Sequence, residues 1–538
     1  MRRHRAPTET ILRTATKTTL IDVALCVLAG VLYFLSFLSF DLFPLTWICF
    51  VPVLYAIRNA SPRRALLLGW IFGFVTNAGG FYWVVHLISE FGGLPLPIAV
   101  LGFMLLCLYQ GFLVALVVML VRLGGKRLGL APVWSLPVAL VALEFTYPLL
   151  FPSYIGNSQY KFTALTQIVE ITGVLGLSAI IGLLNGAAYE ALDARAHGRR
   201  VAPLRIAVPF AVVGASVVFG LVRLPQVDAA AANARTMTVG LVQTNLGSHT
   251  KADEPARFMS EHVRMSRELV TRRPDVELLI WPESVYDGFI HVGGRQPVLE
   301  SLASIGKPVL FGALTIDDRN RDGRAEYFNS LVLTSAEGEL LGAFDKVELL
   351  AFGETLPLSK QFPALDNLFG GNWFTRGSSF EHLRLDGTTF LPTVCYEDII
   401  PSLPRRIWRN DGPADLLVNV TNDSWYGDTH EPMIHLVLAT FRSIEARRAL
   451  VRSTNTGISA IVDPAGRIVE RTGQWTRETL VAAVPLIDNQ SSTFYMRFGD
   501  LVAWIALALL VLGILAAFRS GPGNRGFSRT HERAHKKG

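Results

Sequence analysis

The sequence predicts two unlike parts in one chain, a multi-pass α-helical membrane domain and an α/β layered domain carried between its last two spans. Three observations predict it. Half of the residues are hydrophobic, only 17% are charged and the mean hydropathy is +0.36, too apolar for an ordinary soluble enzyme. The apolar residues gather into long runs before residue 222 and again after residue 500. Between them, 223–497 breaks into short β-rich runs separated by helical stretches, the alternation of an α/β fold.

The runs before the α/β segment lie at about 21–39, 43–57, 64–87, 94–121, 131–151, 164–188 and 204–222, and an eighth follows at 501–518. Most reach the roughly 20 residues that a bilayer helix needs. The second is short and carries Pro44 and Pro52, which makes it the weakest span. The first resembles a signal peptide in length, but it lacks an A-x-A-like site and more spans follow, so a retained anchor is expected. Basic residues fill the N-terminal tail (Arg2, Arg3, Arg5), every second loop (Arg58, Arg63, Arg64; Arg122, Lys126, Arg127; Arg195, Arg199, Arg200) and the last tail. The other loops hold little more than Asp41, Glu90 and Lys161. The positive-inside rule therefore puts both termini in the cytoplasm and 223–497 on the far side. Expected domains are a seven-helix membrane part at 1–222, the α/β domain at 223–497, and an eighth helix with a basic tail at 498–538.

Within 223–497 the expected strands are 238–245, 276–284, 308–316, 330–335, 390–397, 415–423 and 457–464, with helices at 255–272 and 432–449. The net charge of +6 does not point to nucleic acid, because the basic residues flank apolar runs as membrane loops do. Four scattered cysteines make neither a disulfide framework nor a zinc pair. No Walker loop, GxGxxG or GxSxG elbow is present. "HEPMIH" (430–435) spaces its histidines five apart with Pro432 between, which turns them to different faces and argues against zinc. "DRNRDG" (318–323) opens like a calcium loop, but Asn329 stands where the bidentate Glu belongs, so a hairpin turn is expected. No metal or cofactor is called for.

Three strand ends carry reactive groups: Glu283 in "WPES", Lys346 in "AFDKVELLAFGE" and Cys395 in "CYED". A thiol becomes a nucleophile when it loses its proton, so it needs a base and a nearby positive charge. Glu283 fits the base and Lys346 the cation, with backbone N–H groups of a following helix as further donors. Each has a plainer reading: a cysteine after a strand is often core filler, and lone Glu and Lys are often solvated. A Cys–His pair with His430 or His435 is the competing arrangement.

The words around these residues resemble the nitrilase superfamily, and more densely its membrane branch, the bacterial apolipoprotein N-acyltransferases. "VGLVQTN", "WPES", "FDKVELLAFGETLPL", "CYEDIIP", "NDSWYGD" and "HLVLATFRSIEARRALVRSTNTGISAIVDPAGR" carry the likeness. It implies an αββα sandwich with a Glu–Lys–Cys triad: Glu283 as base, Lys346 as oxyanion stabiliser and Cys395 as nucleophile. It gives Glu354, Tyr396, Glu397 and Trp425 supporting or substrate-binding parts. It further implies ping-pong acyl transfer, from a phosphatidylethanolamine-like phospholipid through a Cys395 thioester to the α-amine of a diacylglyceryl apolipoprotein. The setting would be the bacterial inner membrane, with the catalytic domain periplasmic and the enzyme a monomer. Ala252 stands where the family has Trp, "AFGET" replaces "PFGEY" through Ala351 and Thr355, and Ile434-His435 replaces Gln-His.

Independently of that likeness, Leu349–Phe374 is too apolar for a water-facing loop and too rich in Gly and Pro for one helix. It is expected to form arms that meet the bilayer and admit acyl chains. Glu144, inside the fifth run, is a functional candidate by virtue of its place.

Overall fold

A computed structural model of the chain describes residues 7–37, 40–247, 254–286, 288–291, 299–317, 325–351, 353–355, 374–487 and 492–519. Among these, four helices are long and apolar enough to cross a membrane: Leu96–Leu128, Val174–Ala196, Leu204–Asn233 and Leu501–Arg519. A fifth candidate is the pair Pro62–Gly80 and Val84–Phe91, bent by 70°. Shorter apolar helices occupy Thr19–Leu35, Phe43–Ile57 and Pro132–Thr146, so each expected run has a helical counterpart. The run that sequence marks as weakest is a 3₁₀ turn, Phe43–Trp47, followed by the short helix Val51–Ile57. Small residues set the packing. A Cβ on Gly73 would lie 2.2 Å from the Gly111 carbonyl oxygen, so Pro62–Gly80 and Leu96–Leu128 touch backbone to backbone. The helix expected to stop at 222 continues to Asn233, and the first strand begins two residues later.

Among the described residues thirteen strands follow: β1 Arg235–Gln243, β2 Leu278–Ile280, β3 Phe289–His291, β4 Val309–Asp317, β5 Glu326–Thr334, β6 Leu340–Asp345, β7 Leu383–Leu385, β8 Thr388–Val394, β9 Leu416–Thr421, β10 Leu450–Thr454, β11 Ala460–Val462, β12 Ile468–Arg471 and β13 Glu478–Leu486. They form two sheets. One runs β13-β1-β2-β4-β5-β6, with β3 also on β4, and the other runs β12-β11-β10-β9-β8-β7. Period-two side chains build the layers. Val239 and Leu241 of β1 join Phe390, Leu416 and Val418 in a core between the sheets. Val242 and Leu279 point the other way, onto Phe258, Met265 and Leu269 of the helix Pro255–Arg272. Helices Ser402–Asp411 and Glu431–Ala446 cover the second sheet, completing an αββα sandwich.

The helix Glu431–Ala446 is buried almost all round. Leu436 and Ala439 pack on the sheet, while Ile434, Val437 and Leu438 pack against residues of the helical half such as Phe50 and Leu140. Phe441 and Ile444 meet Val141, Leu177 and Ala503. A polar clamp closes the same seam. Glu170 accepts hydrogen bonds from Arg223 at 2.9 Å and from Arg447, and Gln167 accepts one from Arg447 at 2.6 Å.

Candidate active site

Glu283, Lys346 and Cys395 each sit just past a strand end, and the fold brings them together. The strand expected over 276–284 stops at Ile280, because Pro282 has no N–H to continue the ladder and Ser284 adopts a left-handed φ of 56°. Glu283 thus lies on the link between β2 and β3, both of which pair with β4. Gly312 of β4 makes room for it: a Cβ there would lie 2.4 Å from the Glu283 Cα. Lys346 directly follows β6, and its N–H donates to the Asn329 carbonyl of β5 at 2.8 Å. Cys395 directly follows β8 with φ 55°, a strained value that turns its side chain away from the strand direction. The helix expected after it is a five-residue 3₁₀ turn that begins at Cys395 itself, Cys395–Ile399. Glu397 folds back to accept from the Val394 N–H at 2.8 Å, and Pro401 stands just beyond.

All three side chains are buried, Cys395 to 5% exposure, Glu283 to 6% and Lys346 to 1%. Lys346 Nζ lies 2.8 Å from Glu354 Oε1 and 3.6 Å from Glu283 Oε1. Burial alone pushes the ammonium down, but Glu354, Cys395 and Glu283 outweigh it and hold Lys346 protonated well above the ordinary lysine value. Burial pushes the Cys395 thiol well up, and Glu283 adds to this against the pull of Lys346 and a hydrogen bond with Thr421. The resting group is therefore a thiol, beside a carboxylate able to take its proton and a fixed cation.

Glu283 is oriented on both oxygens. Asn329 Nδ2 donates to Oε1 at 2.6 Å, and the Asn422 N–H donates to Oε2 at 2.8 Å. The same Asn329 amide donates to Glu354 Oε1 at 2.8 Å, so one neutral donor separates two carboxylates that share a lysine. Glu354 sits in a tight turn in which Ala351 and Thr355 bridge and the Leu350 N–H reaches its Oε2 at 2.9 Å. Ala351 and Thr355 thus form the support of Glu354. Glu397 Oε1 accepts from the Val347 and Glu348 N–H groups at 2.7 and 2.8 Å, tying the lysine segment to the cysteine segment. Tyr396 donates to the Leu349 carbonyl at 2.9 Å, with Lys346 Nζ 5.6 Å from its ring centre. Trp425 is 37% exposed and packs on Phe91 of the helical half, ring centres 4.7 Å apart.

The competing Cys–His arrangement does not form. His435 turns Nε2 to Asp398 at 2.9 Å and Nδ1 toward Asp423 at 3.4 Å, and His430 lies against Phe40 and Tyr82. Arg452 holds the same two aspartates at 2.5 and 3.2 Å. Asp423, Glu431 and His435 place donor atoms within 4.8 Å of one another, but Arg452 already supplies the cation this cluster neutralises. Asn419 links the cluster to the Cys395 turn, accepting from Arg452 at 3.2 Å and donating to the Cys395 carbonyl at 2.9 Å.

Sequence reasoning missed Asn329, Asn419, Thr421 and Asn422. Asn422 opens the quoted "NDSWYGD", while the others are single polar residues within or beside apolar β runs and carry no further signal. Glu144 accepts from the Ile155 N–H at 2.8 Å, while its Oε2 and Ser153 Oγ have no hydrogen-bond partner among the described residues; both side chains line a cavity of about 50 Å³ in the helical half. Ala252, "DRNRDG" and most of the apolar arm (Phe352, 356–373) lie outside the described residues.

Two family models match the chain: the apolipoprotein N-acyltransferase N-terminal domain over residues 29–187 and carbon-nitrogen hydrolase over 238–492. The chain is 33% identical to the apolipoprotein N-acyltransferase of Geobacter metallireducens, covering 93% of this chain and 95% of that protein. It is 30% identical to the one of Bdellovibrio bacteriovorus, covering 91% and 93%, and 31% identical to the one of Rhodopseudomonas palustris, covering 93% and 96%.

Proposed function

The chain belongs to the apolipoprotein N-acyltransferase family, and from that membership we propose that it moves an acyl chain from a membrane phospholipid to the N-terminal amine of a lipoprotein. The observation that carries the chemistry is the meeting of Glu283 and Lys346 beside the strained, buried Cys395. Glu283 takes the thiol proton as Sγ adds to the ester carbonyl, and the oxyanion forms against the Lys346 ammonium. The intermediate collapses with loss of the lysophospholipid alkoxide, which receives the proton from Glu283, and a thioester remains on Cys395. The α-amine of a diacylglyceryl-cysteine then adds to that thioester and yields its proton to Glu283. The C–S bond breaks, the amide leaves and the Cys395 sulfur is reprotonated. Glu354 and Glu397 hold Lys346 and the two loop ends in register, and Tyr396 and Trp425 border the acyl donor's entry.

In this reading the donor is phosphatidylethanolamine-like, the enzyme is a monomer of the bacterial inner membrane with both termini cytoplasmic, and the α/β domain is periplasmic. The apolar, lipid-length helices support the membrane setting. The test uses the full chain in detergent with phosphatidylethanolamine labelled in its sn-1 acyl chain. Label is expected on Cys395 in a hydroxylamine-sensitive bond, absent in Cys395→Ala, and passed to a diacylglyceryl peptide faster than to water. A folded protein that takes no label from any phospholipid overturns the reading.

A further inference from the structure

At the end of the helical half away from the α/β domain lies a cavity of about 330 Å³. Arg205, near the start of the helix Leu204–Asn233, lines it, and the other end of that helix, ~45 Å away at 1.5 Å per residue, leads into β1. The cavity is strongly basic. Two of its arginines are neutralised, Arg205 by Glu190 at 2.9 Å and Arg199 by Asp193 at 2.7 Å. Arg58, Arg122 and Arg200 also line it, and among the described residues none of them has a carboxylate partner. Arg58 is steadied by the Tyr55 carbonyl at 2.6 Å and by that ring at 3.9 Å, and Arg122 Nε by the Ala60 carbonyl at 2.6 Å. Their remaining N–H groups are thus held ready for an anion.

A second cavity, of about 230 Å³, adjoins the first at Leu130, which lines both. Its character is opposite. Leu123, Leu128, Trp134, Leu509 and Ile514 make its wall, between the helices Leu96–Leu128, Pro132–Thr146 and Leu501–Arg519. Gly124 lies on the apolar side and Gly125 on the basic side, so the ridge between the two is low. Three guanidinium groups with no carboxylate partner among the described residues, beside a hydrocarbon-lined recess, match the two ends of one molecule.

We propose that the paired cavities bind an anionic phospholipid, its phosphate among Arg58, Arg122 and Arg200 and an acyl chain in the apolar recess beyond Leu130. The lipid is a resident one. It sits at the opposite end of the helical half from Cys395, so it is distinct from the acyl donor, and its binding stabilises the bundle by mass action. The site does not depend on the reaction proposed for Cys395.

The full chain in mild detergent is titrated with phosphatidylglycerol, phosphatidylcholine or inorganic phosphate, reading bound mass by native mass spectrometry and the melting temperature. Phosphatidylglycerol is expected to remain bound and raise the melting temperature, with phosphatidylcholine at least about tenfold weaker. Arg58→Gln/Arg200→Gln is expected to weaken phosphatidylglycerol about tenfold or more, and Arg200→Gln alone by a smaller factor, with the lipid-free melting temperature unchanged. Gly513→Phe adds a ring where a Cβ meets nothing within 4 Å, and is expected to lower lipid retention by filling the recess. Equal retention of the two lipids, or undiminished phosphatidylglycerol binding in the arginine variants, overturns the proposal. Tight inorganic phosphate binding with lipid retention indifferent to Gly513→Phe also overturns it, in favour of a soluble phosphate.

Discussion

Gly312→Ala places the simplest possible obstacle under Glu283. The added Cβ would stand 2.4 Å from the Glu283 Cα, 2.4 Å from the Ser284 nitrogen and 2.7 Å from the Glu283 carbonyl carbon. All three are backbone atoms, so no side chain can swing aside. Ordinary contact begins at 3.4 Å, so the Glu283 link must retreat by about 1 Å. Its anchors resist: the Gly312 N–H donates to the Pro282 carbonyl at 3.0 Å, and the Val285 N–H to the Gly312 carbonyl at 2.8 Å. Overpacking of this kind costs about 1–3 kcal/mol, which lowers the melting temperature but leaves the chain folded. A displacement of about 1 Å at a reacting group costs on the order of 10²-fold in rate. The assay is transfer of labelled acyl chain from phosphatidylethanolamine to a diacylglyceryl peptide, beside a melting curve. The expected result is a kcat loss near 100-fold in a folded protein. Wild-type kcat with an unchanged melting temperature would refute the account of how Glu283 is positioned.

Three further predictions bear on the same site. Asn329→Ala removes the only side-chain amide shared by Glu283 and Glu354 among the described residues, and is expected to cost about 1–3 kcal/mol and at least tenfold in kcat; melting curves and the peptide assay check both. Glu397→Gln turns an amide NH₂ toward backbone N–H groups that now meet a carboxylate, and should lose about 2 kcal/mol and loosen the lysine and cysteine segments together, seen as faster amide exchange at Val347, Glu348 and Val394. Stability should fall as pH rises. Burial and Arg452 push His435 down, but Asp398 and Asp423 outweigh them and raise it from 6.5 to about 9. Its contribution is therefore complete below about 6.5 and lost as pH passes 9, worth roughly 3 kcal/mol at ~1.4 kcal/mol per unit. Burial raises Glu431 to about 8, and this carboxyl keeps its proton longer in the folded chain, which acts in the same direction. A melting temperature that climbs between pH 6 and 9 would contradict both.

The helical half was legible because its helices are long and apolar, and both properties can be read without neighbours. The helix Pro255–Arg272 was legible to the residue, since its apolar positions recur at helical spacing against a polar face. Several strands were not. β10 carries Arg452, a buried charge whose partners Asp398 and Asp423 lie far off in sequence, so the run does not read as apolar. β13 hydrogen-bonds to β1 across the whole of the domain and contains Pro485, which hides it as an edge strand. At the site, Glu283, Lys346 and Cys395 stood out by chemistry at strand ends, and the family likeness joined them. Asn329 did not stand out, because an amide in a strand gives no sign of the two carboxylates that fold against it.

The helix Glu431–Ala446 has almost no side left for water, which changes what a fragment of this protein would be. Cutting the chain after the helix Leu204–Asn233 would strip the cover from Ile434, Val437, Leu438, Phe441 and Ile444 at one stroke. The released α/β piece would present a greasy stripe to solvent and self-associate through it. A soluble version for crystallisation or inhibitor screening therefore begins with redesign of that stripe, not with the choice of a cut site. The same geometry means that a small molecule wedged into the seam would act on the sheet that leads into Cys395 without touching its thiol.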